Sequence, residues 1–178
     1  MTGPIILWLL FLSWVIHDIE ELCFFETLDD KNNTTVQNIA GNFSIVRLAM
    51  RSVATNRKEE AIAIVIVGLL MLAATIAGYL DPHGIGMLLY GTMLGGYFLH
   101  TFAHVGVSII LRKYMFGLVT AIIVVLPAAI CLYAVLFDMQ LLSLSQALWT
   151  ALVGIIAFGP ILILVLRLGK IVGTLHVK

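Results

Sequence analysis

Charge is scarce in this sequence. Only 11% of its 178 residues are Asp, Glu, Lys or Arg, against 61% hydrophobic, which leaves too little polar surface to coat a water-soluble globule. The ten basic and ten acidic residues cancel, and without a concentrated basic face the chain has no means of holding nucleic acid. Cysteine is limited to Cys23 and Cys131, both in apolar stretches, so no disulfide framework is expected and each thiol reads as a small reduced hydrophobe rather than a metal ligand. No Lys or Arg precedes the first apolar run and no small-residue cleavage pattern follows it, so that segment is expected to stay with the chain rather than be removed as a signal peptide. No internal repeat of the kind common in transporters is visible.

What the chain has in abundance is long apolar runs, with a mean hydropathy of +1.08. A membrane-crossing helix takes roughly 20 mostly apolar residues, and five windows meet that length: Pro4 to Phe25, Glu60 to Leu80, Gly84 to Leu111, Met115 to Phe137 and Leu142 to Leu166. The expected fold is therefore all-α, a single domain over 1–178 built as an integral membrane bundle of five transmembrane helices. The turns Asp81-Pro82-His83-Gly84 and Phe137-Asp138-Met139-Gln140 are short separators of the expected composition. Pro127 and Pro160 fall inside the fourth and fifth windows, where a kink is expected. The first window has an uninterrupted apolar run only to Ile16, and it spans only if the charged cluster that follows is carried within it, facing protein or water.

All ten cations lie on one side of this arrangement: Lys31, Arg47, Arg51, Arg57 and Lys58 after the first helix, Arg112 and Lys113 after the third, and Arg167, Lys170 and Lys178 after the fifth. Short cytoplasmic loops are enriched in Lys and Arg, so the N-terminus is expected outside and the C-terminus in the cytoplasm. Between the first and second helices, Val36, Ile39, Phe43, Val46, Met50 and Val53 recur every three or four residues, predicting an amphipathic helix over about 36–55 at the cytoplasmic face, packed on anionic headgroups or capping the bundle. The sequons at Asn33 and Asn42 then lie on the side where N-glycosylation does not occur. Glu59 and Glu60 open the second helix, where the helix dipole accounts for them, though one could reach a site from below.

The first window carries His17, Asp18, Glu20 and Glu21, and the third carries His100 and His104. Ionisable groups in hydrocarbon cost several kcal/mol each by most estimates and mark functional sites. Helical geometry puts Ser13, His17, Glu20 and Glu21 on one face, with Asp18 at its edge, and Tyr97, His100, Thr101, His104 and Ser108 on one face of the third helix. Both clusters fall in the cytoplasmic half at similar depth, so they are expected to meet. Two His at i and i+4, joined by His17 and a carboxylate, form the nitrogen and oxygen ligand set of zinc or iron. A remaining carboxylate, Glu20, Glu21 or Asp18, could act as general base on metal-bound water. Two other readings use the same residues: a hydrogen-bonded network holding helices together, and a proton or ion pathway. Gly91 and Gly95, on the opposite side of the third helix, are spaced for close approach of another helix or of a second copy in a homodimer.

His17-Asp18-Ile19-Glu20-Glu21 resembles the signature of the HXXEE family, small multi-pass membrane proteins, mainly bacterial. The stretch from His100 through His104, Arg112, Tyr114, Gly117 and Thr120 to Pro127 is similar to that family's second block, in which a His precedes an Arg-rich turn and then Tyr-x-x-Gly-x-x-Thr. His104 matches the block's His, and His100 stands where an Asn is expected. The resemblance implies membership, a bacterial plasma membrane and a shared site, without a reaction. The expectation carried forward is a site of His17, Glu20 or Glu21, His100 and His104 binding a divalent metal, zinc before iron, and acting hydrolytically on a lipid-like molecule drawn from the bilayer; a di-iron oxidase or hydroxylase and a permeation protein are the alternatives.

Overall fold

The computed structural model describes residues 2–24, 57–112 and 114–175; the amphipathic helix and sequons expected between the first two windows lie outside the described residues. Every element among those described is helical. A single 3-10 turn, Ile5–Trp8, leads into α1 (Leu9–Cys23), followed by α2 (Arg57–Leu80), α3 (Ile85–Leu111), α4 (Leu118–Asp138) and α5 (Leu144–Leu175). The disruption expected at Pro127 takes the form of a π-helical stretch, Ala121–Val125, directly before it, and α5 remains helical through Pro160. The turn before α3 is fixed by Asp81, whose Oδ2 accepts the Gly86 N–H at 3.0 Å, supplying one of the partners that a helix start lacks.

Three helices, α2, α4 and α5, are long and apolar enough to cross a membrane. The 15 helical residues of α1 continue the four of Ile5–Trp8, and the combined run comes close to the roughly 20 that a bilayer requires. The 27 residues of α3 are long enough, but glycine, tyrosine and histidine dilute their apolar character. These two helices keep their polar groups inside. On α1, Ser13, His17, Asp18, Glu20 and Glu21 are buried while Leu12, Ile16 and Ile19 face outward. Large aliphatics also cover the outer faces of the other helices, among them Leu69, Ile123, Ile130, Leu148, Ile156 and Leu164. This distribution inverts that of a water-soluble domain and fits a protein that sits in a membrane.

In lipid, helices associate through close packing and interhelical hydrogen bonds rather than by expelling water, and the contacts here follow that rule. The Gly91 and Gly95 face of α3 is occupied by α5 of the same chain: a Cβ on Gly95 would stand 2.5 Å from Ala151 Cα, and one on Gly91 2.9 Å from Thr150 Oγ1. At the end of the bundle where α1 begins, Leu7, Leu10, Met71, Met87, Tyr90, Leu94, Leu132 and Leu136 form the packed core, and Tyr90 donates its hydroxyl to the Leu7 carbonyl at 3.0 Å. α1 packs on α2 and α4, and α3 on α2 and α5. The polar ends of α1 and α3 are thereby brought together beside the start of α4.

Candidate metal centre

Two helical repeats and one tight return build the site. His17 and Glu21 are one turn apart on α1, as are His100 and His104 on α3, and residues so spaced share a helix face. The chain leaves α3 through Arg112 in the left-handed conformation, φ 51°, which closes the last turn onto the Ile109 and Ser108 carbonyls. Ser108 Oγ then accepts the Met115 N–H at 3.2 Å. This return lays Phe116 and Gly117 across the histidines and starts α4 against α1.

Four donor atoms converge. Glu21 Oε1 stands 3.0 Å from His104 Nε2, 3.6 Å from His17 Nε2 and 3.9 Å from His100 Nε2, and the Nε2 atoms of His100 and His104 are 2.8 Å apart. One ligand atom from each of the four residues lies within 4.8 Å of every other. Ligands of a tetrahedral zinc ion with bonds of ~2.0–2.1 Å stand about 3.3–3.4 Å from one another, and the observed separations bracket that value. The group could hold a metal ion. His17 is sealed in, its side chain 1% exposed, while His100 is the most open of the four at 21%. The ring of His100 also lies 5.3 Å from that of Phe158 on α5, centre to centre.

The hydrogen bonds on the far side of two rings fix where their protons are. His104 Nδ1 lies 3.1 Å from the Phe116 carbonyl, which can only accept, so Nδ1 carries hydrogen. His17 Nδ1 lies 2.9 Å from Thr120 Oγ1; the single hydroxyl hydrogen of Thr120 goes to Glu20 Oε2 at 2.5 Å, so here too the ring nitrogen is the donor. In the neutral rings both Nε2 atoms turn a lone pair to the centre of the group, that of His104 accepting from His100 Nε2 at 2.8 Å. His17 Nε2 is buried without a hydrogen-bond partner, a deficit worth about 1–3 kcal/mol for a buried polar group. A cation among these acceptors removes the deficit, and burial of charge is tolerated where it is paired or bound to metal.

Glu20, adjacent in sequence, turns the other way. Its carboxylate accepts the Thr120 N–H at 2.7 Å, the Val119 N–H at 3.3 Å, the Thr120 hydroxyl and the Tyr114 hydroxyl. It therefore sits on the exposed amides of the first turn of α4, where a negative charge is favoured. Tyr114, in the return between α3 and α4, has its hydroxyl pKa pushed up to about 12, by desolvation first and then by its bond to the Glu20 carboxylate, so it remains a donor at neutral pH. Asp18 lies beside Glu21 with its Oδ2 buried and unpartnered, and Glu60 from the first turn of α2 is within electrostatic range of Asp18, Glu21 and His104. Of the residues expected at the site, His17, Glu21, His100 and His104 form the group of four, Asp18 stands at its edge, and Glu20 is outside it.

Three contributors were not assigned a role from the sequence: the Phe116 carbonyl, Thr120 and Gly117. Gly117 has φ +79°, and a Cβ there would stand 2.8 Å from Glu21 Oε1 and 3.0 Å from His104 Cε1. The spacing of Tyr114, Gly117 and Thr120 held a signal: all three lie in the return and first turn, where Tyr114 and Thr120 bond Glu20 and Gly117 packs on Glu21 and His104.

Fold and site define a class: a protein whose described residues form only helices, some of them apolar and of membrane length, around a group of three histidines and one carboxylate. Residues 8–132, more than two-thirds of the chain, match the family described as proteins of unknown function with an HXXEE motif, and the chain belongs to the HXXEE family. The matched region contains both halves of the site. No curated protein and no solved structure is matched by the chain.

Proposed function

We propose that this is an integral membrane metalloenzyme in which His17, Glu21, His100 and His104 bind one divalent cation, zinc in preference to iron, and that the ion serves hydrolysis of a lipid-like substrate. The observation that carries this reading is the outward commitment of the Nδ1 hydrogens of His17 and His104, which leaves buried lone pairs aimed at one point together with Glu21 Oε1. Four donors around one point suit a single zinc ion and are few for a di-iron centre.

In this reading all five helices cross the membrane as one domain, with the N-terminus outside and the C-terminus in the cytoplasm of a bacterial cell, because every cation of the chain then falls on the cytoplasmic side. The outward aliphatic surface favours an amphiphile arriving from the bilayer, and the partial exposure of His100 gives the side of approach. When bound, zinc would supply Lewis-acid chemistry, bringing the pKa of a water at the site to roughly 7 as in well-studied sites. Asp18, buried beside Glu21 with an unpartnered oxygen, is the carboxyl group placed to exchange protons with water there.

The test is turnover of membrane lipid extract by the purified, zinc-loaded protein in ¹⁸O-labelled water, followed by mass spectrometry. Hydrolysis predicts a product carrying label from water, lost in His104→Ala. Incorporation from ¹⁸O₂ instead would favour an iron oxidase, and unchanged lipid together with proton flux across vesicles would favour permeation.

A further inference from the structure

The HXXEE motif carries two adjacent glutamates, and their contacts in the structure give them opposite duties. Relative to His17, a residue four positions on lies about 40° to one side of the helix and a residue three positions on about 60° to the other. Glu21 therefore shares the Nε2 side of the His17 ring, and Glu20 lies toward its Nδ1 side. We infer that Glu20 and Thr120 are positioning residues, a carboxylate–hydroxyl–imidazole relay that sets the tautomer of His17 for the metal while latching the first turn of α4 onto α1. The inference rests on the proposed metal site and adds to it the means by which its least exposed ligand is held.

Each bond in the relay has one available direction. Glu20 is saturated by four donors, two of them the Val119 and Thr120 amides and two the Tyr114 and Thr120 hydroxyls. An ionised carboxylate has no hydrogen to give, so Thr120 must donate to it and accept from His17. The imidazole is thereby fixed with hydrogen on Nδ1 and a lone pair on Nε2. Metal-bound histidines ordinarily donate their other N–H to a carboxylate or carbonyl, which orients the ring and raises its basicity. Here a hydroxyl stands between ring and carboxylate, and the Phe116 carbonyl does the same service directly for His104.

Cobalt(II) titration of the full-length protein in detergent, read by visible absorption and by competition with a chelator, separates this role from a structural one. Wild type is expected to bind one equivalent with tetrahedral bands. Thr120→Val is expected to weaken binding by about 10-fold to 100-fold and to change the bands, while Thr120→Ser restores both and Tyr90→Phe, whose lost bond lies in the core, leaves them near wild type. A purely structural Thr120 would lower the melting temperature of the metal-free protein and leave affinity and bands unchanged; that result overturns the inference. If Thr120→Val fails to fold, Glu20→Gln tests the same relay, and wild-type binding in it is equally contrary. A wild type that takes up no cobalt overturns the metal site and the relay together, so the two failures are distinguishable.

Discussion

Replacing Gly117 by alanine should damage both the fold and the metal site. Two penalties act at this position. The backbone has φ +79°, and left-handed conformations cost a residue with a Cβ about 1–2 kcal/mol. The new methyl would stand 2.8 Å from Glu21 Oε1 and 3.0 Å from both Glu21 Cγ and His104 Cε1, so it must push two of the four donors away. Bringing the closest contact from 2.8 Å to an ordinary ~3.4 Å takes about 0.6 Å, beyond the ~0.2 Å to which metal–ligand distances are held. The expected outcome is a loss of 1–2 kcal/mol, of order, in the unfolding free energy of the metal-free protein, and a further loss of at least about tenfold in zinc affinity, equivalent to ~1.4 kcal/mol. Zinc competition with a chromogenic chelator reads the second quantity and denaturant unfolding in mixed micelles the first. Gly106→Ala is the control, because a Cβ there meets nothing within 4 Å. A Gly117→Ala protein with wild-type zinc affinity would refute the reasoning.

Other substitutions test the packing and the membrane arrangement. Tyr90→Phe removes the bond to the Leu7 carbonyl in the core and should cost about 0.5–1.5 kcal/mol by unfolding in micelles, with zinc affinity unchanged. Gly95→Leu drives a side chain against the Ala151 backbone of α5, where neither helix has a flexible atom to yield; a loss above the ~1–3 kcal/mol typical of overpacking is expected, seen as aggregation on extraction. A reporter active only in the cytoplasm should work when fused after Lys178 and fail when fused ahead of Met1, and the reverse pattern would invert the proposed topology.

Much of the fold was legible because apolar length is a strong signal. The windows ending at Leu80 and Leu111 and the turn at Asp81 to Gly84 agree closely with α2 and α3, while α5 runs nine residues past the expected Leu166. The meeting of His17 and Glu21 with His100 and His104 was also readable, since similar depth and i, i+4 spacing were both available from residue positions. The Gly91 and Gly95 stripe signalled close approach but not its partner, and the helix that fills it comes from the same chain. What the sequence could not separate was Glu20 from Glu21. Their side chains differ only in which neighbour they meet, and that depends on the return through Arg112 and Gly117, whose positive φ values no pattern of polarity reveals. The Tyr-x-x-Gly-x-x-Thr spacing marked Thr120 but not its role, which shows only once a carboxylate and an imidazole are found on either side of it.

The most direct measurement is elemental analysis of the detergent-purified protein by mass spectrometry, wild type beside His104→Ala, with the folded state of both checked by circular dichroism. One equivalent of zinc in the wild type, lost in a folded His104→Ala, is the predicted result. Equal metal content in the two proteins, or none in a wild type supplied with zinc, would contradict the assignment of His17, Glu21, His100 and His104 as a metal site.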